Sequence, residues 1–260
     1  WLAVDFMENG WNIKRLLKQI LSSATYRQSA RLNQKKLEKD PENRYLSSAP
    51  RTRLNAEHIR DLVLASSGLL VPEIGGPSVK PYQPEGLWEA STSGRGELSV
   101  YRQGKGEDLY RRGLYTFIKL TSPPPKLSIF DASNRDLCEV TRGRTNTPLQ
   151  ALAMLNDPLV LEASRVLASR LAVRHASHSA AIEEAFMRIV CRTPTEEELD
   201  ILKRYYQDAL EQFSADPEAL LQTVSVGEYP LQDDAKSSET AALMQVIVAL
   251  YNLEETITKG

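Results

Sequence analysis

The residues with the most chemical potential stand in "TRGRTNTPLQALAMLNDP", 141–158. Arg142 and Arg144 precede a run of small polar residues, Thr145, Asn146 and Thr147, which leads through Pro148 into a helical pattern. A helix start offers unpaired backbone N–H groups and the positive end of the macrodipole, and guanidinium groups add charge-assisted, fork-like bonds. Together they suit a carboxylate, sulfate or phosphate. The same residues also serve a structural purpose. Thr147 and Gln150 have capping-box spacing around Pro148, a feature that stabilises a helix by about 1 kcal/mol. The arginines would then pair with Asp131, Asp136 or Glu139 just upstream, and this structural reading is the favoured one.

Two other groups compete with it. In "SVKPYQPEGLWE", Tyr82 and Trp88 lie near Lys80, Glu85 and Glu89, either as a platform for stacking on sugar rings or, preferably, as anchors tying an irregular segment to the core. In "KGEDLYRRGLY", Glu107, Asp108, Arg111 and Arg112 have the spacing of ion pairs along a helix. Neighbouring carboxylates also serve glycoside hydrolysis, at a separation that sequence does not disclose. The candidate ligand-binding set is therefore Lys80, Tyr82, Trp88, Glu107, Asp108, Arg111, Asp131, Arg142, Arg144, Thr145, Asn146 and Thr147.

Metal and nucleophile chemistry find little support. His58, His175 and His178 lack evident further ligands. No CxxC or CxxCH occurs, which excludes zinc–cysteine clusters and covalent haem attachment in this chain. Cys138 and Cys191 permit one disulfide in an oxidising compartment. Nucleophile-elbow and phosphate-loop glycine spacings are absent as well.

The elements that must position these groups read as helices on either side of a long irregular stretch. Apolar spacing predicts two short helices before and after Gly10, the second carrying Ile13, Leu16, Leu17, Ile20 and Leu21 with Lys14, Arg15 and Lys18 on its wet side. "NQKKLEKDPENRYL" reads as loop with one helical turn, and Asn55 is positioned to cap a helix over 56–70 that ends toward Gly75–Gly76. Periodicity then fades from about 75 to 146. Residues 107–119 read as helix followed by strand, and the prolines of "SPPPKL" predict an extended segment. From 147 onward the chain is helical. Breaks are expected at Asp157-Pro158 and Asp216-Pro217, a second capping box at Thr195–Glu198, and a last helix over 239–252 apolar nearly all round and hence central. The predicted fold is mainly α, an irregular multi-helix domain with a loop-rich insertion and little or no β-structure.

Composition bounds the rest. With 42% hydrophobic and 25% charged residues the chain is globular rather than disordered. The formal net charge of −2 hides an asymmetry: residues 1–150 carry 23 Lys+Arg against 16 Asp+Glu, and residues 151–260 carry 9 against 18. The basic charge is scattered and lacks a recognition motif, so nucleic acid is not an expected partner. The apolar run at 240–253 is too short to span a bilayer. The expected organisation is a basic segment, 1–146, of helices plus the irregular stretch, followed by an acidic helical bundle, 147–260, within one globular unit. The opening "WLAVDFMENGWNIKRLL" shows no signal peptide and already lies inside an amphipathic pattern, as expected of a fragment of a larger protein.

The ordered segments "SSATYRQSA", "DPENRYL", "RLNAEHIRDLVLASSGLL", "GGPSVKPYQPEGLWE", "KGEDLYRRGLYTF", "RTNTPLQALAMLNDP" and "RTPTEEEL" resemble the planctomycete family known as domain of unknown function fifteen fifty-three. One departure is Ser133 in "FDASNRDLCEV", where some relatives have proline. The resemblance implies an extracytoplasmic module of a large exported protein, with a cytochrome c-like domain upstream in many relatives. Haem is expected only in that upstream domain, so no cofactor is expected in this chain. Upstream domains of the same polypeptide are the implied partners, with anionic polysaccharide as a further candidate. The resemblance implies no reaction. The leading functional reading is a non-catalytic helical module that binds a ligand or another domain. A polysaccharide-acting hydrolase or lyase using Glu107, Asp108 or Asp131 is the alternative. A purely structural partner, docked through its charge asymmetry, is a third.

Overall fold

The computed structural model describes residues 1–259 except 31–32, 93–94, 134 and 136–137, and leaves aside the side chain of Asp234. Contacts group the chain into two compact units, one formed by residues 1–53 with the terminal 258–260 segment, the other by residues 54–257.

In the first unit, α1 (Leu2–Glu8) and α2 (Ile13–Ser22) are joined by a turn at Gly10 and Trp11, both with positive φ. Asn12 caps α2 by accepting from the Arg15 N–H at 3.0 Å. Arg15 reaches back to Asp5 (2.6 and 3.2 Å), and Phe6 meets Trp11 edge-on at 5.3 Å, so the two helices form a braced pair. A one-turn helix, α3 (Gln34–Lys39), follows as expected, and β1 (Thr52–Arg53) pairs antiparallel with β2 (Thr258–Lys259).

The second unit holds the hydrophobic core. Helix α4 (Ala56–Ser67) ends at Gly68, whose left-handed φ of 77° stops the helix earlier than the expected end at 70. The Asn55 side chain makes no capping bond there. The expected irregular stretch carries α5 (Leu87–Thr92), two 3-10 turns (Gly106–Tyr110 and Gly113–Tyr115) and α6 (Pro125–Ile129). Two corrections fall here. No strand occupies 114–119: the aromatic run is a 3-10 turn followed by single bridge residues, because Thr116 and Lys119 each find only one partner. Nor is "SPPPKL" extended throughout. Pro125 takes the first helical position of α6, where its missing N–H costs nothing.

The C-terminal part follows its sequence signals closely. Helix α7 (Pro148–Asn156) breaks at Asp157, whose carboxylate caps α8 (Pro158–Arg174) by accepting from the N–H groups of Leu159 and Val160. Next come α9 (His178–Val190), α10 (Glu196–Ala215), α11 (Pro217–Val224), α12 (Ser238–Tyr251) and the short α13 (Glu254–Ile257). Apolar on almost every side, α12 sits at the centre against α8, α9, α10 and α11. Its Tyr251 hydroxyl, pushed upward in pKa by burial, shares a hydrogen bond with Ser66 of α4 at 2.7 Å. Among the described residues the fold is mainly α, with one two-stranded pair.

Candidate functional site

Around 141–147 the structure engages most of the groups that could hold an anion. Arg142 donates two hydrogen bonds to Glu57, the second residue of α4, at 2.8 and 3.0 Å. Burial pushes the Glu57 carboxyl upward, but its bonds to Arg142 and to its own backbone N–H bring it below the ordinary value. This partner is neither Asp131 nor Glu139, the residues expected from proximity in sequence; Asp136 lies outside the described residues. Asp131 is bound instead by Thr145, through its N–H at 2.8 Å and its hydroxyl at 2.9–3.0 Å. The buried Gln150 donates to Thr145 Oγ1 and to the Ile129 carbonyl, and its Oε1 accepts from the Thr147 N–H at 3.3 Å. Arg144, Asn146 and Thr147 are exposed.

Trp88 is only 1% exposed. Tyr101 packs edge-on against it at 5.0 Å, Lys80 Nζ lies 5.1 Å from its ring and Lys119 Nζ 4.7 Å. Lys119 also donates to the Leu98 carbonyl at 2.9 Å. The indole is therefore an anchor around which the irregular stretch is wrapped, not an open platform. Tyr101, which donates to the Pro81 carbonyl, has its hydroxyl pushed up to about 12 by burial.

Arg111 follows the same logic. In place of an α-helix that would pair it with Glu107, the chain forms a 3-10 turn, and buried Arg111 donates to the carbonyls of Glu73, Gly75 and Pro77 while stacking over Tyr115 at 4.0 Å. Arg112 pairs with Asp61 at 2.9 Å. Glu107 and Asp108 are exposed. Glu107 stands on the wall of a cleft of about 320 Å³ with Leu69, Tyr110, Arg170 and Tyr229. Asp131, Tyr82, Trp88 and Arg144 do not line that cleft.

Beneath this cleft lies a group that motif reasoning missed. Glu162 of α8 is fully buried. Its carboxylate accepts from the Tyr82 hydroxyl (3.1 and 3.2 Å), the Tyr110 hydroxyl (3.2 Å) and the Tyr229 N–H (2.6 Å). Burial and the adjacent negative charge push Tyr82 up to about 12, and Tyr110 higher still. Three segments far apart in sequence are thereby tied to one helix. The available signal was a carboxylate with apolar Leu159 and Val166 beside it at helical spacing. The buried Arg165 and the exposed Arg170 donate to the carbonyls of Tyr229 and Ser67.

The remaining histidines and cysteines are likewise placed as ordinary structural groups. His175 contacts Glu184 at 2.5 Å and His178 stacks on Tyr206. Both cysteines are free and exposed. Among the described residues, no three His, Cys, Asp or Glu side chains form a group able to hold a metal ion, and no helix is long and apolar enough to cross a membrane.

The first unit presents a different kind of surface. Neither α1 nor α2 buries a single residue. Trp11 and Ile13 are each 64% exposed and Leu17 52%, with Trp1, Ile20 and Leu21 exposed beside them in sequence. Large exposed apolar residues gathered on one helix face, as Ile13, Leu17, Ile20 and Leu21 are on α2, mark interaction sites.

Fold and site together define a helical scaffold in which the buried Arg111 and Glu162 fasten an irregular segment. The chain belongs to the PSD1 family of proteins of unknown function (DUF1553), whose family model matches residues 1–206. No match is found among curated proteins or among solved structures.

Proposed function

We propose that this chain is a non-catalytic, domain-binding helical module of a large extracytoplasmic polypeptide, and that the apolar face of α1 and α2 is where another domain of the same polypeptide seats. One observation carries this reading: a helix pair braced by Asp5–Arg15 and Phe6–Trp11 that nonetheless leaves its large apolar residues in solvent. A pre-ordered apolar surface loses little entropy on association, which favours a docking role. The extracytoplasmic setting and the upstream neighbour come from the family resemblance. Anionic polysaccharide is a further partner in this reading, with the exposed Arg144 and Asn146 as its first points of contact.

The test is association in solution between this chain and the preceding domain of its polypeptide, expressed separately and measured by calorimetry. Ile13→Glu and Leu17→Glu are expected to abolish it without changing the circular dichroism of the chain. Association indifferent to both substitutions, or none at all, would overturn the reading. A hydrolase or lyase has one supporting feature, Glu107 on the cleft wall. Turnover of a uronic-acid polysaccharide that is lost in Glu107→Gln would establish it in place of the docking reading.

A further inference from the structure

Resting on the docking reading, we infer that the partner seated on α2 presents an acidic amphipathic helix, its apolar stripe against Leu17 and Leu21 and its carboxylates against Lys14, Lys18 and Arg27. At ~100° per residue, Ile20, Ile13, Leu17 and Leu21 span an arc of about 100°, and Lys14 and Lys18 follow within roughly the next 60°. The cations therefore border the apolar stripe along the Leu21 edge. Arg27, beyond the helix end, borders the same shallow, open surface together with Lys14, Leu17, Lys18, Leu21 and Ser22.

Charge makes the choice of occupant. Arg15, on the same helix, is held by Asp5 at 2.6 Å, whereas no ion pair engages Lys14, Lys18 or Arg27 among the described residues. Three uncompensated cations around two exposed leucines complement an apolar stripe bordered by Glu or Asp, the arrangement of an amphipathic helix laid against a helix face. The turn that carries Arg27 is set in advance. Ser23 Oγ accepts from the Tyr26 N–H, and Lys259 both donates to the Tyr26 hydroxyl at 2.8 Å and lies over its ring at 4.0 Å. A lipid surface fits less well, since an interfacial helix lays a broad apolar face flat with cations across its whole polar side. Here the two unpaired lysines border one edge of the apolar stripe, while Arg15, further round the polar side, is already taken by Asp5.

The experiment titrates the full chain, with calorimetry as readout, using two synthetic helical peptides of identical leucine register. One carries Glu and the other Lys beside the stripe; phosphatidylserine vesicles form a third arm. The acidic peptide is expected to bind and the basic one not to bind. Lys14→Glu combined with Lys18→Glu should weaken the acidic peptide on the order of tenfold. Raising salt from about 0.01 M to about 1 M, which shortens the screening length from about 30 to about 3 Å, should weaken it in the same direction. Equal binding of both peptides, no binding of the acidic peptide, or binding of vesicles in its place would overturn the inference. Leu17→Glu separates the two levels. Loss of both peptides with Leu17→Glu, but indifference to the lysine substitutions, keeps the docking face and removes the acidic partner. Acidic-peptide binding indifferent to Leu17→Glu removes the docking face itself.

Discussion

Replacing Glu162 tests whether one buried carboxylate holds the irregular stretch to the core. Glu162→Ala removes an acceptor from three donors, the hydroxyls of Tyr82 and Tyr110 and the Tyr229 N–H, at a fully buried position. Its partners are neutral donors, and leaving buried donors unsatisfied costs about 1–3 kcal/mol for each one that finds no other acceptor. Glu162→Gln keeps the shape and one acceptor oxygen, and should cost about 1–3 kcal/mol. The chain has three tryptophans, and with Trp1→Phe and Trp11→Phe only Trp88 reports. Because Trp88 is buried in the second unit, its fluorescence during urea unfolding follows the unit that contains Glu162. A cycle with Tyr82→Phe isolates the bond itself. Strictly additive costs, or a loss below about 1 kcal/mol in Glu162→Ala, would refute the reasoning.

Three further outcomes follow from the geometry. Gly227→Ala should destabilise by about 2–3 kcal/mol in the same assay, because its φ is 92° and an added Cβ would stand 2.3 Å from Glu162 Oε1. Arg142→Ala and Glu57→Gln should each cost about 1 kcal/mol or less, and the double variant no more than either, as a cycle on this partly exposed pair will show. Glu198 is held at about 2, below its ordinary 4.5, first by Arg192 and then by the Thr195 N–H. Its contribution is therefore present above pH 4.5 and lost as pH falls from 4.5 toward 2. Solvent screening keeps it below about 1 kcal/mol, and Glu198→Gln should flatten that acid limb in urea midpoints measured along the pH range.

What was legible in the sequence was local. Asp157-Pro158, Asp216-Pro217 and Thr195–Glu198 start helices because the capping atoms lie within three residues of the N–H groups they satisfy. The apolar circumference of 240–250 identified the central helix for the same reason, since burial on all sides leaves no room for a polar face. The misses concern partners chosen across the fold. Arg142 prefers Glu57, 85 residues away, over acids close in sequence, and nothing in the spacing of either residue encodes the meeting. Glu162 escaped notice because a lone carboxylate in a helix usually faces water. Its burial depends on Tyr82, Tyr110 and Tyr229 arriving from elsewhere. The 3-10 turns at 106–115 were unreadable because tertiary demand on Arg111, not local propensity, sets the backbone there.

The position of α12 has a consequence for how the molecule comes into being. The helix that α8 through α11 close around begins at residue 238, beyond the 1–206 span matched by the family. A ribosome adds roughly 5–20 residues per second, so α8 leaves it several seconds before α12 exists. For that interval the part of α8 that packs on α12 has no cover. A nascent chain in this state stays loose and available to holding factors, and loss of the segment from residue 238 onward would return the 54–257 unit to it.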